Sequence, residues 1–530
     1  MSERARPVLL RGGAVVADEG IVRADVLVAD GRIVDVGTPS GTPAGARTID
    51  CDGRLVMPGF VDAHSHAGSL VFDEDVQLAL LRQGVTTIVT GQDGVGPAPG
   101  DGSYAARYFA AIDGPHPTYR GGGIAGLLAT YDGTTAVNVA ALVPAGTVRH
   151  EVMGDEPGGP TAARLDAMRA LVRQGMADGA VGLATGLDYV PGLFADAEEI
   201  AALAAESAAV EGRYVTHMRG GYETNAAAGI DEIVRIVRAG GGRAHVSHLH
   251  APVDLALAEL DRAEAAGSPL SFDAYPYSRG CTILSMLLLP AALARPGTDD
   301  LARAIRTDDG RAAVRAAVLE RVLGRADLGT DWARQITLSH VPAAEFHALQ
   351  GRTLAEAADA TGTDPVDLAL DVLVDSALQV TVVMRVPHPR TPDQLAALFR
   401  YGGHTGGSDG IFVGTHPHPR AYGTFARYLG DYARTGLLSW WEVQQHLSTL
   451  PAELFRLGRR GAVASGWTAD LVVVDPGRVR ARSTYDEPML LAEGIDDVLV
   501  AGVPVLAGGL LTHATPGSGV RRDGWGAGGR

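Results

Sequence analysis

The sequence contains no lysine, since all 45 basic residues among its 530 positions are arginine. This absence excludes Schiff-base catalysis by lysine, a phosphate-loop lysine and a carbamylated lysine that bridges two metal ions. Cysteine is scarce as well. Cys51 and Cys281 are the only two, which excludes a disulfide framework and a paired Cys-x-x-Cys metal site and favours a reducing, cytoplasmic location.

Long apolar runs and positive net charge are also lacking. The longest apolar stretch, residues 283–294, contains Pro290 and is shorter than the ~20 residues of a membrane span, and the first residues lack an apolar signal core. The net charge of −17 disfavours a nucleic-acid or anionic-membrane partner. With 46% hydrophobic and 5% aromatic residues, the composition predicts a globular protein whose oligomeric state stays open.

The chain shows two kinds of hydrophobic pattern. Short alternating segments, typical of β-strands, occupy residues 7–37 near the start and residues 468–475 and 495–509 near the end. Between them, apolar strand-like runs alternate with helix-like stretches, which indicates βαβ units and a parallel sheet. We predict eight such strands, near residues 60–63, 86–90, 139–143, 180–184, 214–216, 244–247, 270–274 and 404–408.

These patterns predict an α/β fold: a TIM-type (β/α)8 barrel, with a small β-sandwich formed by the N- and C-terminal segments. We place the barrel at residues 59–454 and the two parts of the sandwich at 1–58 and 455–514. Residues 281–342 are helical and rich in arginine, so we expect an inserted helical subdomain there. The tail, residues 515–530, has no periodicity and is predicted to be disordered.

The sharpest local signal is the motif Val-Asp-Ala-His-Ser-His that ends at His66. Because side chains alternate along a strand, His64 and His66 point to the same side and can bind one ion. The alternative interpretation is a pair of histidines that caps a strand with satisfied hydrogen bonds.

Four further potential ligands end predicted strands: Asp93, His217, His248 and Asp409. The carboxyl ends of barrel strands meet at one rim, where these groups would repel or desolvate one another without a cation among them. We therefore predict a divalent metal ion. Histidine and carboxylate without thiolate suit Zn²⁺, with Mn²⁺, Fe²⁺ and Co²⁺ as alternatives. For each residue alone, a buried hydrogen-bonded histidine or a helix-capping aspartate is the competing interpretation.

Several longer motifs are more specific: MPGFVDAHSH, GVTTIVTGQDG, GLDYVPG, FDAYPY, GGSDG and HPRAYGTFARYLG. In these motifs the sequence resembles the amidohydrolase superfamily, and within it the N-acyl-D-amino-acid deacylase (D-aminoacylase) family, over nearly the whole chain. The resemblance implies hydrolysis of the amide bond of an N-acyl-D-amino acid, or a close carboxylate-bearing amide, by water activated on one or two zinc ions.

The resemblance also implies roles for individual residues. His64, His66 and Asp409 would surround one metal position, and Asp93, His217 and His248 the other. Asp409 would be the general base that later passes its proton to the leaving nitrogen. The substrate would be bound by four residues: Arg420 would grip its carboxylate, Tyr277 would be the phenol partner of that carboxylate, His250 would take the place of the family's lysine, and Tyr189 would line the pocket.

Two positions depart from the family pattern. Asp93 stands where relatives usually have a cysteine, so the number of metal ions is open. His250 stands where they tend to have a lysine that touches the substrate carboxylate, so substrate recognition is open too.

Other interpretations stay open at this point. Arg420 fits an ordinary ion pair on a helix, Tyr277 a packed aromatic ring, and Tyr189 a core residue. A cyclic amide or ureide hydrolase of the dihydroorotase and hydantoinase type shares the barrel but commonly needs the lysine that this chain lacks. A non-catalytic relative is the third alternative, suggested by Asp93 and His250. The sequence leaves open the acyl group, the amino-acid side chain and the strictness for D over L.

Overall fold

The alternating segments from the two ends of the chain pair with each other in the computed structural model, which describes residues 6–17, 20–37, 43–295, 299–325, 328–386 and 388–523. Together they form one nine-stranded sheet. Its strands are β1 (Val8–Ala17), β2 (Gly20–Ala29), β3 (Arg32–Gly37), β4 (Arg47–Asp50), β5 (Leu55–Pro58), β18 (Leu471–Val474), β19 (Ile495–Val500), β20 (Val503–Ala507) and β21 (Leu510–Leu511). None of the helices in these ranges is long and apolar enough to cross a membrane.

The sheet curls until its N-terminal part meets the segment before β18. The backbone N–H of Ile33 donates to the carbonyl of Trp467 at 2.9 Å, and that of Ala469 donates to Gly31 at 3.0 Å. The enclosed side chains form a separate small core that includes Leu10, Val26 and others from both ends of the chain. The predicted sandwich built from both termini is therefore confirmed.

All eight predicted barrel strands are present, and neighbouring strands are parallel. They are β6 (Phe60–Asp62), β7 (Val85–Thr90), β8 (Asn138–Ala141) continued by β9 (Val143–Pro144), β10 (Gly182–Gly186), β11 (Arg213–His217), β12 (Arg243–Val246), β13 (Ser271–Ala274) and β17 (His404–Gly406). The first and last strands meet where Ala63 N–H donates to the Gly406 carbonyl at 3.1 Å. The strands thus close into a (β/α)8 barrel.

A buried carboxylate reinforces the seam between the first and last barrel strands. Asp62 accepts hydrogen bonds from the backbone N–H of Ser408 at 2.7 Å and from that of His64 at 3.3 Å. The Ser408 hydroxyl donates to its second oxygen. Because these bonds fix the backbone on both sides of the seam, they also fix the residues that follow β6 and β17.

Helices surround the barrel and cover its apolar strands. They are α1 (Glu74–Leu81), α2 (Ser103–Tyr108), α3 (Ala110–Asp113), α4 (Gly123–Ala129), α5 (Ala145–Met153), α6 (Ala162–Ala177), α7 (Ala197–Ala208), α8 (Ala226–Gly240), α9 (Val253–Ala265), α16 (Pro392–Phe399), α17 (Arg420–Arg427), α18 (Trp440–Gln444) and α19 (Leu450–Leu454).

The segment between the seventh and eighth barrel strands forms a unit with a core of its own. Its elements are β14 (Arg279–Ile283), α10 (Leu284–Leu288), α11 (Asp299–Ala304), α12 (Asp308–Leu323), α13 (Trp332–Gln335), β15 (Ile336–His340), α14 (Leu354–Thr361), α15 (Pro365–Asp375) and β16 (Thr381–Arg385). The three strands pair in an antiparallel sheet, so the unit continues past residue 342 and is not purely helical. Its core includes Phe109, Tyr189 and Ile411 from barrel loops, which places the unit over the barrel rim.

The predicted disorder of the tail is wrong for residues 515–523. Strand β22 (Gly519–Val520) runs parallel to β8, and Arg522 N–H donates to the Gly179 carbonyl at 3.0 Å. Val520 is buried against barrel residues such as Val61 and Val89. A paired segment of two residues is too short to show periodicity, which is why the sequence pattern missed it. Residues 524–530 lie outside the described residues.

We expect Val520→Asp to lower the free energy of unfolding by about 3 kcal/mol, because it places a carboxylate in this apolar contact. The matched control is Leu510→Asp, since Leu510 is 72% exposed in another short C-terminal strand. Thermal and denaturant unfolding of both variants measure the difference. Equal midpoints for the two variants would contradict the docked tail.

Candidate metal centre

The six predicted ligands meet at the carboxyl end of the barrel strands. They follow or end five different strands, so the barrel itself brings together residues far apart in sequence. The six residues are all buried: His64, His66, Asp93, His217, His248 and Asp409.

One group of potential ligand atoms comes from His64, His66 and Asp409. One atom from each of these residues lies within 4.8 Å of the other two. The Oδ1 atom of Asp409 is 3.2 Å from His66 Nε2 and 3.7 Å from His64 Nε2. Asp93 reaches both histidines, with Oδ1 3.8 Å from His64 Nε2 and Oδ2 3.7 Å from His66 Nε2. The structure therefore brings the first predicted ligand set together.

A second group contains His64, Asp93 and His248, with His217 beside it. Asp93 Oδ1 is 3.6 Å from His248 Nε2 and 3.9 Å from His217 Nδ1. The two imidazoles face each other, with His217 Nδ1 3.3 Å from His248 Nε2. Because Asp93 contacts both groups, it lies where a carboxylate can bridge two positions.

Three of the four histidines have a carboxylate on the ring nitrogen that faces away from the cluster. The atom pairs are His66 Nδ1 and Asp113 Oδ1 at 2.7 Å, His217 Nε2 and Asp188 Oδ2 at 3.2 Å, and His64 Nδ1 and Asp273 Oδ2 at 3.4 Å. Carboxylates in this position fix the tautomer and the orientation of metal-binding imidazoles. No sequence motif identifies Asp113, Asp188 or Asp273 as partners of these histidines.

The electrostatics of the cluster favour a cation. Burial acts to lower the pKa of His66, but hydrogen bonds with Asp113 and Asp409 outweigh it and raise the pKa to about 10. Burial acts to raise the pKa of Asp93, yet its contacts with His248 and His217 hold the pKa well below its usual range. The carboxylates are therefore ionised, and they make positive charge at the centre favourable.

Backbone strain is concentrated at the same residues. Asp93, His248 and Asp409 have φ angles of 54°, 33° and 48°, in the left-handed region that non-glycine residues seldom adopt. Strained backbone of this kind persists where surrounding contacts enforce it, and it is common at functional sites.

The cluster forms the floor of a cavity of about 810 Å³, counted with the solvent at its mouth. One wall is apolar and carries residues of α10, β16 and nearby barrel loops: Ile112, Met286, Leu287, Met384 and Ile411. The rest is polar, with Tyr222, Tyr275, Arg325 and Arg385 among its lining residues. Such a cavity, apolar with a few convergent polar groups, suits a small organic ligand.

Two of the predicted substrate-binding residues line this cavity. The Tyr189 hydroxyl lies 3.0 Å from Thr282 Oγ1, and the ring is buried beside His217. His250 Nδ1 donates to Glu223 Oε1 at 2.8 Å.

The structure favours Tyr275 over Tyr277 as the phenol of the cavity. Tyr275 lines it, whereas the Tyr277 hydroxyl donates to the Pro419 carbonyl at 3.4 Å and its ring lies under the Arg427 guanidinium at 4.4 Å. The two tyrosines flank Pro276 after β13, so the sequence offered no signal to separate them.

Arg420 is fully buried and holds Asp409. Its Nε donates to the Asp409 carbonyl at 2.6 Å, and its Nη2 is 2.7 Å from Asp409 Oδ2. The guanidinium stacks on the Tyr275 ring at 4.7 Å. In this structure Arg420 therefore orients Asp409, and gripping a substrate carboxylate stays a prediction.

A (β/α)8 barrel with a sandwich made by its termini and a His-x-His pair after its first strand defines a class of metal-dependent hydrolases. The chain belongs to the Amidohydrolase family, whose model matches residues 47–506.

The chain is similar to characterised deacylases over nearly its whole length. N-acyl-D-glutamate deacylase of Alcaligenes xylosoxydans xylosoxydans is 33% identical, covering 97% of this chain and 96% of its own. D-aminoacylase of the same organism is 31% identical, covering 94% of both chains. The crystal structure of N-acyl-D-glutamate deacylase from Bordetella bronchiseptica, complexed with zinc and a phosphonate mimic of the tetrahedral intermediate, matches with a TM-score of 0.80. That match has 29% identity and covers 98% of this chain and 100% of the other.

We expect Asp113→Asn to weaken metal binding by about 10- to 100-fold, because the amide no longer holds His66 as an ionised acceptor does. Asp155→Asn is the control, since Asp155 accepts from His150 Nδ1 at 2.9 Å outside the cluster. Competition with a chelator, followed by elemental analysis, measures the affinity of each variant. Identical retention of metal in both would remove Asp113 from the support of the site.

Proposed function

We propose that the protein hydrolyses the amide bond of N-acyl-D-amino acids in a metal-dependent reaction. The six-residue cluster beside the cavity carries this proposal, because it gathers four buried imidazoles and two buried carboxylates around one point. Full-length similarity to deacylases of N-acyl-D-amino acids supports the substrate class. A cytoplasmic location stays a prediction.

The residues present fit a divalent ion. His64 Nε2 and Asp93 Oδ1 are buried without a hydrogen-bond partner, although they lie at the centre of the cluster. Leaving such atoms unpaired is costly unless something binds them. Zinc held by His64, His66 and Asp409, and by Asp93, His217 and His248 if a second ion binds, would acidify water and polarise the scissile carbonyl.

Asp409 is placed to act as the general base. Burial acts to raise the pKa of its carboxyl, but Arg420 and the neighbouring histidines outweigh burial and hold the pKa well below its usual range. Asp409 is thus an ionised acceptor on the cavity floor, and Arg420 fixes its direction. It can take a proton from the attacking water and give it to the leaving nitrogen, which must be protonated to depart as an amine.

Recognition of the substrate follows from the walls of the cavity. We propose that the carboxylate lies against Tyr275, with Arg420 behind the tyrosine ring, and that His250 and Tyr189 contact the substrate from other parts of the cavity wall. The apolar wall around Met286 and Leu287 then receives an apolar acyl group.

Hydrolysis assays on matched N-acetyl-D- and N-acetyl-L-amino acids test the proposal with metal-loaded protein. We expect release of amine from D-substrates, and loss of that activity after chelation with recovery on adding zinc. Ring opening of a cyclic amide by protein that releases no amine from any D-substrate would contradict the proposal and favour the hydantoinase-type alternative.

Asp409→Asn is expected to lower kcat by about 100- to 10,000-fold, since an amide cannot accept the proton of water. Steady-state kinetics measure the rate, and elemental analysis shows whether the variant retains metal. An unchanged kcat in metal-loaded protein would exclude Asp409 as the base.

A further inference from the structure

Three charged or polar side chains form a compact group beside the substrate cavity, and we name it the Glu223 group: Glu223, His250 and Arg390. One oxygen of Glu223 accepts from His250 Nδ1 at 2.8 Å and from Arg390 Nη2 at 2.5 Å. Arg390 also donates from Nε to the Ala251 carbonyl at 3.2 Å. The carboxylate thus connects the imidazole of His250, in the cavity wall, to the guanidinium of Arg390 behind it.

The backbone is shaped to hold this arrangement. Glu223 has a φ of 57°, in the left-handed region, and its N–H donates to the His250 carbonyl at 2.9 Å. The side chains of Glu223 and Arg390 are 11% and 5% exposed, so the ion pair is largely removed from water. The left-handed backbone of Glu223 and the burial of its ion pair with Arg390 are both unfavourable for folding. Features of this kind are typical of functional sites.

Two atoms of the Glu223 group lack a partner. His250 Nε2 and Arg390 Nη1 are buried without a hydrogen bond. His250 lines the main cavity and also a small adjoining cavity, which Arg390 and Tyr275 line as well. Because the Nδ1 proton of His250 is donated to Glu223, Nε2 carries the lone pair of the ring and accepts a hydrogen bond from a ligand.

We propose that Glu223 and Arg390 are positioning residues that hold His250 so that its Nε2 accepts a hydrogen bond from the amide N–H of the substrate. Glu223 fixes the imidazole through Nδ1, and Arg390 balances the charge of Glu223, which would otherwise repel a carboxylate in the cavity. The chain has no lysine, and the positive charge at this part of the wall comes from Arg390, which is linked to His250 through Glu223. The inference rests on the proposed function, since it requires an N-acyl amino acid as the substrate.

Arg390 also connects recognition to the inserted unit. It lies on the segment between β16, the last strand of that unit, and α16 of the barrel. The return of the chain from the insertion therefore delivers the charge that balances Glu223.

Kinetics of Glu223→Gln and Arg390→Met test the positioning role. Each is expected to raise KM for an N-acyl-D-amino acid about tenfold, which corresponds to a loss of ~1.4 kcal/mol of binding free energy, while kcat stays within about twofold. Metal content should be unchanged. Arg390→Lys, which keeps the charge, should restore most of the lost affinity. Glu199→Gln is the matched control: it breaks the buried Arg149–Glu199 pair, at 3.1 Å, and should leave KM unchanged.

A double-mutant cycle with His250→Ala separates positioning from a general effect on the fold. We expect His250→Ala to raise KM by a similar factor and Glu223→Gln to add nothing further in that background. Equal effects of Glu223→Gln with and without His250 would overturn the inference, as would a loss of kcat with KM unchanged. If the proposed function itself is wrong, the wild-type protein hydrolyses no N-acyl-D-amino acid, and this result is seen before any variant is compared.

Discussion

The burial of like charges at one end of the barrel is the constraint on which the rest of the structure depends. Asp93 and Asp409 lie among four imidazoles, all removed from water. Further carboxylates, Asp113, Asp188 and Asp273, stand behind the imidazoles. Without positive charge among them, from protonated imidazoles and Arg420 or from a bound cation, these carboxylates would be strongly unfavourable in a medium of low polarity. These three carboxylates orient three of the four rings, those of His64, His66 and His217, towards a common point.

The fold serves this centre by joining distant parts of the chain. The bond network of Asp62 and Ser408, 346 positions apart, ties the start of the barrel to its end beside His64 and Asp409. His217 ends β11 and the other ligands follow barrel strands, where left-handed turns at Asp93, His248 and Asp409 aim three of the side chains inwards. The inserted unit covers the rim and supplies Met286, Leu287 and Met384 to the apolar wall of the cavity. It therefore limits the access of water to the metal centre.

Much of this could be predicted from the sequence, because barrel strands are short apolar runs with ligands directly after them. All eight strands and the six-residue cluster appeared at the expected places. The supporting residues could not be predicted in the same way. Asp113 lies on a short helix, and its partner His66 is 47 positions away, so no local pattern connects them. Tyr275 and Tyr277 flank a proline that interrupts strand alternation, and the burial of Arg420 against Asp409 depends on the path of α17. Strand β15 pairs with β16 and β22 pairs with β8, and both pairs join segments distant in the sequence, so no local pattern predicts them.

X-ray absorption spectroscopy at the zinc edge shows whether the barrel residues bind the ion, because it reports the atoms around zinc in the active, zinc-loaded protein. We expect a shell of nitrogen and oxygen neighbours at about 2.0–2.1 Å, with the outer scattering of several imidazoles. A sulfur neighbour at about 2.3 Å, or zinc bound without imidazole in fully active protein, would contradict this expectation.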